Sequence, residues 1–223
     1  RQYFLEGDHQ SAIELLEKQV KEAPSSSEPI NIARSALVNE NFELSISERV
    51  RLLRMIVDGP AADIGAKLAA FRQLVDLSPT RKSSLVKEAV DLLFAESSGA
   101  VLVWLNELKN YQQVLELTAD LDLTQDYPAF ANRIAALLSL EQYEAADELL
   151  EQAGPSYPRI SISMLLTTRY RTAGQLEQAR DFWREARALA EAEKQPQMLL
   201  GLASMADVMG EEPLTRIDTY RGA

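Results

Sequence analysis

Cysteine is absent from this chain of 223 residues, and histidine occurs only once. The first absence excludes disulfides and thiolate chemistry. The second leaves His9 as the one imidazole available for a catalytic relay or a metal site. His9 lies beside Asp8, where we predict a turn between two helices, so we interpret it as an exposed turn residue. Proteins of the cytoplasm and of the periplasm can both lack cysteine, so the compartment stays open.

Long apolar runs and basic stripes are also missing. No stretch approaches the roughly 18 apolar residues of a membrane span, so we predict a soluble chain with no membrane insertion. Asp and Glu number 34 against 23 Lys and Arg, which gives a formal net charge of −11. Nucleic-acid binders need clustered positive charge to neutralise phosphates, so we predict no nucleic-acid partner.

Motifs that carry chemistry are equally scarce. We find no glycine-rich phosphate loop, no metal-ligand spacing and no nucleophile elbow. The sequence therefore predicts no enzyme activity, no catalytic residue, no cofactor and no metal site.

Glycine and proline number nine each, too few for a loop-rich or all-β chain, and valine and isoleucine form no alternating runs. We therefore predict an all-α chain of about twelve helices, each of roughly 10 to 18 residues. Ser45 and Glu48 have the spacing of a capping box at a helix start. Gly59 should end that helix, and Pro60 can open the next one.

A local pattern occurs repeatedly along the chain. From a small or polar residue at a turn, the steps to the next characteristic positions are +2, +3, +4 and +3. Ala146 and Ala179 occupy the same position in two copies, 33 residues apart. A period near 34 with small residues at fixed helix positions indicates a helical-hairpin solenoid. The copies are Glu141, Tyr143, Ala146, Leu150 and Ala153; Gly174, Leu176, Ala179, Trp183 and Ala186; and, more degenerate, Lys109, Tyr111, Val114, Thr118 and Leu121.

This pattern resembles the tetratricopeptide repeat family. The resemblance implies antiparallel helix pairs stacked into a right-handed superhelical solenoid, with a concave face that binds peptides or protein segments. We predict a single repeat domain over residues 1–223, with degenerate repeats over 27–97. Leu199 to Gly210 is similar to the first half of one more repeat. The residues that carry the resemblance are Gly7, Ala12, Pro24, Tyr143, Ala146, Ala153, Pro158, Tyr170, Gly174, Ala179, Trp183 and Ala186.

In that family the first helix of each pair lines the concave groove. Some members hold an acidic C-terminal peptide there with a clamp of Lys, Asn and Arg side chains. Only one predicted groove residue here, Arg171, is basic, so such a peptide is not the expected ligand. By helix register the groove residues are Pro128, Ala131, Ala135, Leu138, Ser139, Ser161, Met164, Thr168, Arg171 and Thr172.

Three further groups of residues could have a role in binding, but each can also be interpreted as part of the ordinary structure of the protein. Trp104 and Trp183 are interpreted as core residues at helix crossings. Tyr127 and Tyr170 could line the groove together with Arg171, or the two tyrosines could pack against neighbouring helices. One acidic run could hold a divalent cation or a basic partner, but we interpret it as a solvated helix surface: Glu141, Glu144, Asp147, Glu148 and Glu151.

Two functions remain in competition. The first is a scaffold for protein–protein interaction that binds a polypeptide segment on its concave face. The alternative is a ligand-sensing or regulatory domain of a larger multidomain protein, which a deep closed pocket would favour. The chain does not begin with Met, which leaves open that it is a segment of a longer protein. Its ends are apolar, so we expect a longer array or self-association: Tyr3, Phe4, Leu5, Met198, Leu199, Leu202, Met205 and Met209.

Overall fold

The computed structural model describes residue 4 and residues 7–206. Helices account for 77% of these residues, and no strand occurs among them, which confirms the predicted all-α class. The twelve α-helices in this part of the chain are α1 His9–Glu22, α2 Glu28–Val38, α3 Ile46–Asp58, α4 Ile64–Leu77, α5 Lys82–Leu93, α6 Ser98–Glu107, α7 Tyr111–Leu117, α8 Tyr127–Ser139, α9 Tyr143–Ala153, α10 Arg159–Thr172, α11 Leu176–Ala192 and α12 Pro196–Ala206.

The chain divides into two compact units, with the boundary between Trp104 and Leu105, inside α6. Unit 1 contains α1 to α5 and the first part of α6. Unit 2 contains the end of α6 and the helices α7 to α12. The prediction of a single superhelical repeat domain concerns the arrangement of all these helices and stays a prediction.

Unit 1 begins its third helix as the sequence predicts. The Ser45 hydroxyl accepts a hydrogen bond from the Glu48 backbone amide at 3.3 Å, and the Glu48 carboxylate accepts one from the Ser45 amide at 2.7 Å. This reciprocal pair satisfies two amides that the first turn of a helix would otherwise leave unpaired. The capping box is therefore confirmed.

The end of α3 shows both a confirmed and a wrong prediction. Gly59 follows the helix, and a Cβ there would lie 2.8 Å from the Met55 carbonyl oxygen and 2.6 Å from Ile30 Cδ1, so the position favours glycine. Pro60, however, does not open the next helix. Helix α4 begins at Ile64, because the Asp63 carboxylate accepts a hydrogen bond from the Ala66 amide at 2.7 Å and fixes the start there.

His9 is not the exposed turn residue that the sequence suggested. It is the first residue of α1, and its side chain is only 13% exposed. Its ring centroid lies 5.8 Å from that of Phe4 and 6.1 Å from that of Phe42. Phe4 is itself buried and stacks on Phe42, so it is not the exposed apolar residue that we expected. Tyr3 and Leu5 lie outside the described residues.

The sequence repeat of unit 2 corresponds to one local backbone structure. Lys109, Glu141 and Gly174 all have positive φ, at 58°, 58° and 75°. The amide after each of them donates to the carbonyl five residues earlier, at 2.9, 2.9 and 2.8 Å. This bond pattern is the Schellman motif that ends a helix in a left-handed residue. The second turn lies 32 residues after the first, and the third lies 33 residues after the second. The predicted sequence period therefore corresponds to a helix–turn–helix hairpin that recurs along unit 2.

The predicted packing positions of unit 2 are buried. Ala146 and Ala179 are fully buried, as the repeat register requires. Trp183 is also fully buried, and its indole Nε1 donates to the Leu202 carbonyl at 2.9 Å. Trp104, in unit 1, is buried with its ring centroid 6.3 Å from that of Phe71. The assignment of both tryptophans to the core is therefore confirmed.

The final described helix, α12, corrects an expectation about the end of the chain. Leu199 and Leu202 do not present apolar surface, because both are buried in a cluster with Trp183. Met198 and Met205 are partly buried against the same cluster. Met209, Gly210 and the suggested helix at Glu211 to Pro213 lie outside the described residues.

Candidate functional site

Helix α8 carries the first half of the predicted groove. Pro128, Ala135 and Ser139 are exposed, and Ala131 is partly exposed. Leu138 is only 3% exposed and packs in the core of unit 2. Leu138 is therefore a core residue and not a groove residue, because the helix turns it toward Phe130 and Leu150 in that core.

Helix α10 carries the second half of the predicted groove and packs against α8. Met164, Thr168 and Arg171 are partly exposed, and Thr172 is exposed. The Arg171 side chain makes no ion pair or hydrogen bond with any described residue. A Cβ on Gly201 of α12 would lie 3.7 Å from Met164 Cε, so the groove surface of α10 extends onto α12.

Ser161 was also predicted to line the groove, and its environment next to Tyr127 corrects that prediction. Ser161 is buried, whereas Tyr127 is partly exposed. Burial raises the pKa of Tyr127, and the neighbouring Ser161 side chain opposes the rise. Ser161 therefore lies against Tyr127 of α8 and does not line the groove.

A cleft opens on the opposite face of α10, where no binding residue was predicted. We call it the α9–α10 cleft; its volume is about 530 Å³ and it is open to solvent. At about 100° per residue, its residues on α10 lie roughly half a turn from Met164, Thr168 and Arg171. The helical spacing of Ile162, Leu166 and Tyr170 was the signal that could have indicated it. Its lining residues are Asp147, Leu150, Glu151, Gly154, Pro155, Tyr157, Arg159, Ile162, Leu166 and Tyr170.

The floor of the α9–α10 cleft is apolar. Leu150 and Ile162 belong to the buried core of unit 2, and Leu166 packs against it with part of its side chain exposed. Gly154 lies at one end of the floor, where a Cβ would lie 3.6 Å from Ile162 Cδ1. The floor is therefore the outer edge of the hydrophobic core, and a ligand there would contact Leu166 and the accessible edges of Leu150 and Ile162.

An arginine–carboxylate pair forms one end of the cleft rim. Arg169 donates two hydrogen bonds to the Asp147 carboxylate and a third, at 2.8 Å, to the Gln175 side chain. Its guanidinium lies 5.4 Å from the Tyr143 ring centroid and 4.7 Å from that of Tyr170. The Asp147 carboxylate raises the pKa of Arg169. Asp147 is therefore a paired residue and not part of a merely solvated acidic surface.

A second pair forms the other end of the rim. Arg159 donates two hydrogen bonds to the Glu185 carboxylate, at 2.8 and 2.9 Å. The Ser163 hydroxyl donates a third to the same carboxylate at 3.1 Å. The hydrogen bonds from Arg159 hold the pKa of Glu185 below its ordinary value. Arg159, which lines the cleft, and Arg169, which pairs with the lining residue Asp147, are therefore both neutralised from within unit 2.

Glu151 is the exception among the charged lining residues. Its side chain is exposed, and it makes no ion pair or hydrogen bond with any residue that the structure describes. Glu141, Glu144 and Glu148 of the same acidic run are also exposed. The side of the cleft formed by α9 therefore carries uncompensated negative charge.

Unit 1 has a comparable open cleft of about 600 Å³ between α1 and α3. Arg51 donates to the Glu17 carboxylate at 2.9 and 2.8 Å, and Arg54 pairs with Glu88. These pairs join alternate helices, α1 to α3 and α3 to α5, and each spans 34 residues of sequence. The apolar part of the lining comes from Val20, Pro24, Val50, Met55 and Pro60.

The described residues contain no cluster of three His, Cys, Asp or Glu side chains that could hold a metal ion. Among the described helices, none combines the length and apolar character that crossing a bilayer requires. A scan against protein-family models gave no match, and a search of curated proteins found no similar protein. The function must therefore be argued from the surfaces themselves.

Proposed function

We propose that this protein is an interaction scaffold of the tetratricopeptide repeat type, which binds a polypeptide segment on its concave face. In this proposal the hairpins stack into a right-handed superhelical solenoid, and the groove is formed by α8, α10 and α12. The recurrence of one Schellman turn at Lys109, Glu141 and Gly174 supports it, as does the burial of Ala146 and Ala179. These are the positions at which repeats of this type need a turn and a close helix contact.

The observation that carries the proposal is the short, accessible side chains on the groove face of α8 and α10. Ala131, Ala135, Thr168 and Thr172 leave the helix surfaces open to close approach by another backbone. The hydroxyls of Thr168 and Thr172 donate to carbonyls of their own helix, at 3.2 and 2.8 Å. Arg171 offers the one unpaired cation that the described part of this face provides.

The ligand-sensing alternative has less support. A site for a small molecule normally encloses most of its ligand and brings several polar groups together around it. The α9–α10 cleft and the cleft between α1 and α3 are both open to solvent, and their arginines are paired with carboxylates of the same unit. Open surfaces of this kind favour a polypeptide.

The test is affinity capture from the native source, followed by mass spectrometry. The bait would be the present chain, compared with a Thr168→Arg variant that places a large cation in the groove. We expect the wild-type chain to retain a polypeptide that the variant loses. A matched Ala188→Arg variant, at an exposed position of α11, should retain it. The proposal is wrong if Thr168→Arg, shown by circular dichroism to be folded, captures the same polypeptides as the wild type.

A further inference from the structure

We propose that the α9–α10 cleft is a second polypeptide site, and that its occupant is a basic amphipathic helix. This inference rests on the proposed function only in that the protein binds polypeptides. The site itself lies on the face of α10 opposite the predicted groove.

The dimensions of the cleft suit a short helix. Its lining residues on α10 extend from Arg159 to Tyr170, which is about 16 Å at 1.5 Å per residue, or three helical turns. The walls are the helices α9 and α10, whose backbone groups are already paired within each helix. An extended peptide would lay unpaired backbone groups on an apolar floor, at a cost in free energy. A helix satisfies its own backbone and presents only side chains.

The floor determines which side chains face the cleft. Leu150, Ile162 and Leu166 give an aliphatic surface with no polar group that needs a partner. An occupant gains free energy by burying apolar side chains there, and a helix presents them at i, i+3 or i+4, and i+7. The occupant is therefore amphipathic.

The rim determines the charge of the occupant. Arg159 and Arg169 each form a bidentate pair with a carboxylate of unit 2, so their positive charges are already balanced and do not favour an acidic ligand. Glu151, the exposed acidic residue that lines the cleft, is unpaired among the described residues. Lysine or arginine flanking the apolar stripe of the occupant would pair with Glu151, and the net charge of −11 would attract such a segment from a distance.

The test uses a synthetic fluorescent peptide as the probe, with leucine on one helical face and lysine on the other. A second peptide with every lysine replaced by glutamate is its control. Binding to the full chain is measured by fluorescence anisotropy at low salt. We expect the lysine peptide to bind and the glutamate peptide not to bind. Raising the salt to about 0.5 M should weaken binding, because exposed charges are then screened over a few ångströms.

Two charge reversals separate the cleft from general attraction to an acidic protein. Glu151→Lys places a cation at the rim, and Glu148→Lys makes the same change on α9 at a position that does not line the cleft. Both side chains are exposed, so both variants should fold. We expect Glu151→Lys to weaken binding about tenfold and Glu148→Lys by less than about twofold. Leu166→Ala, which removes part of the floor, should also weaken it.

Failure of this inference is distinguishable from failure of the proposed function. Thr168→Arg, on the groove face, should leave binding of the lysine peptide unchanged even where it abolishes capture of the native partner. Equal effects of Glu148→Lys and Glu151→Lys would overturn the inference. So would equal binding of the two peptides, or no detectable binding of the lysine peptide to the wild-type chain.

Discussion

Two alanines of unit 2 show how a single side chain can set the distance between helices. Ala146 and Ala179 are fully buried at equivalent positions of successive hairpins. We predict that replacing either with leucine overpacks the contact and lowers the free energy of unfolding by about 1–3 kcal/mol. Urea denaturation measures this. Ala188→Leu, at an exposed position of α11, is the control and should leave the midpoint unchanged. Unchanged midpoints for all three variants would mean that the repeat register is wrong.

The left-handed turn residues give a paired prediction at the same scale. Glu141 has φ of 58° and Gly174 has φ of 75° in equivalent turns, yet only glycine adopts this conformation without strain. Glu141→Gly should therefore stabilise the protein, and Gly174→Ala should destabilise it, each by about 1 kcal/mol. No atom lies within 4 Å of a Cβ placed on Gly174, so the loss would come from the backbone alone. Changes of the same sign in both thermal melts would contradict this.

At the scale of the element, helix starts differ in whether a side chain caps them. Ser45 caps α3 through its hydroxyl, whereas Ser27, at the same position before α2, forms no capping hydrogen bond. We predict that Ser45→Ala lowers the free energy of unfolding by about 1 kcal/mol and that Ser27→Ala has little effect. Guanidinium denaturation of the two variants measures the difference. Equal losses would show that the capping box contributes nothing to stability.

How much the sequence could predict depends on how local the determinant is. The capping box at Ser45 and the turn at Gly174 are set by residues within one or two helical turns, so pattern alone finds them. The burial of Leu138 and the position of Asp63 as a helix cap depend on competition between neighbouring signals, so the predictions of Leu138 in the groove and of a helix start at Pro60 were wrong. The α9–α10 cleft could not be predicted, because its rim depends on Arg169 and Arg159 meeting carboxylates 22 and 26 residues away.

At the scale of the whole molecule, arginine–carboxylate pairs and caps make stability depend on pH. Hydrogen bonds lower the pKa values of three glutamate carboxyls among the described residues: Arg51 that of Glu17, Ser45 that of Glu48 and Arg159 that of Glu185. A lowered folded-state pKa means that the stabilisation is present above the ordinary value of 4.5 and is lost as the pH falls through the folded-state value.

We therefore predict that the urea midpoint is nearly constant from neutral pH down to about 5 and falls below 4.5. Glu17→Gln should flatten the acid side of this profile, because the amide does not titrate. Glu177→Gln, at an exposed position of α11, is the control and should leave the profile unchanged. A midpoint that rises as the pH falls below 4.5 would contradict the assigned directions.

The placement of the two tryptophans gives each unit its own natural optical reporter. Trp104 is in unit 1 beside Phe71, and its indole Nε1 has no hydrogen-bond partner among the described residues. Trp183 is in unit 2 and donates to Leu202. The emission of Trp104 should therefore lie at shorter wavelength than that of Trp183. With Trp183→Phe and Trp104→Phe, the red shift on denaturation would follow each unit separately and show whether they melt together or in sequence.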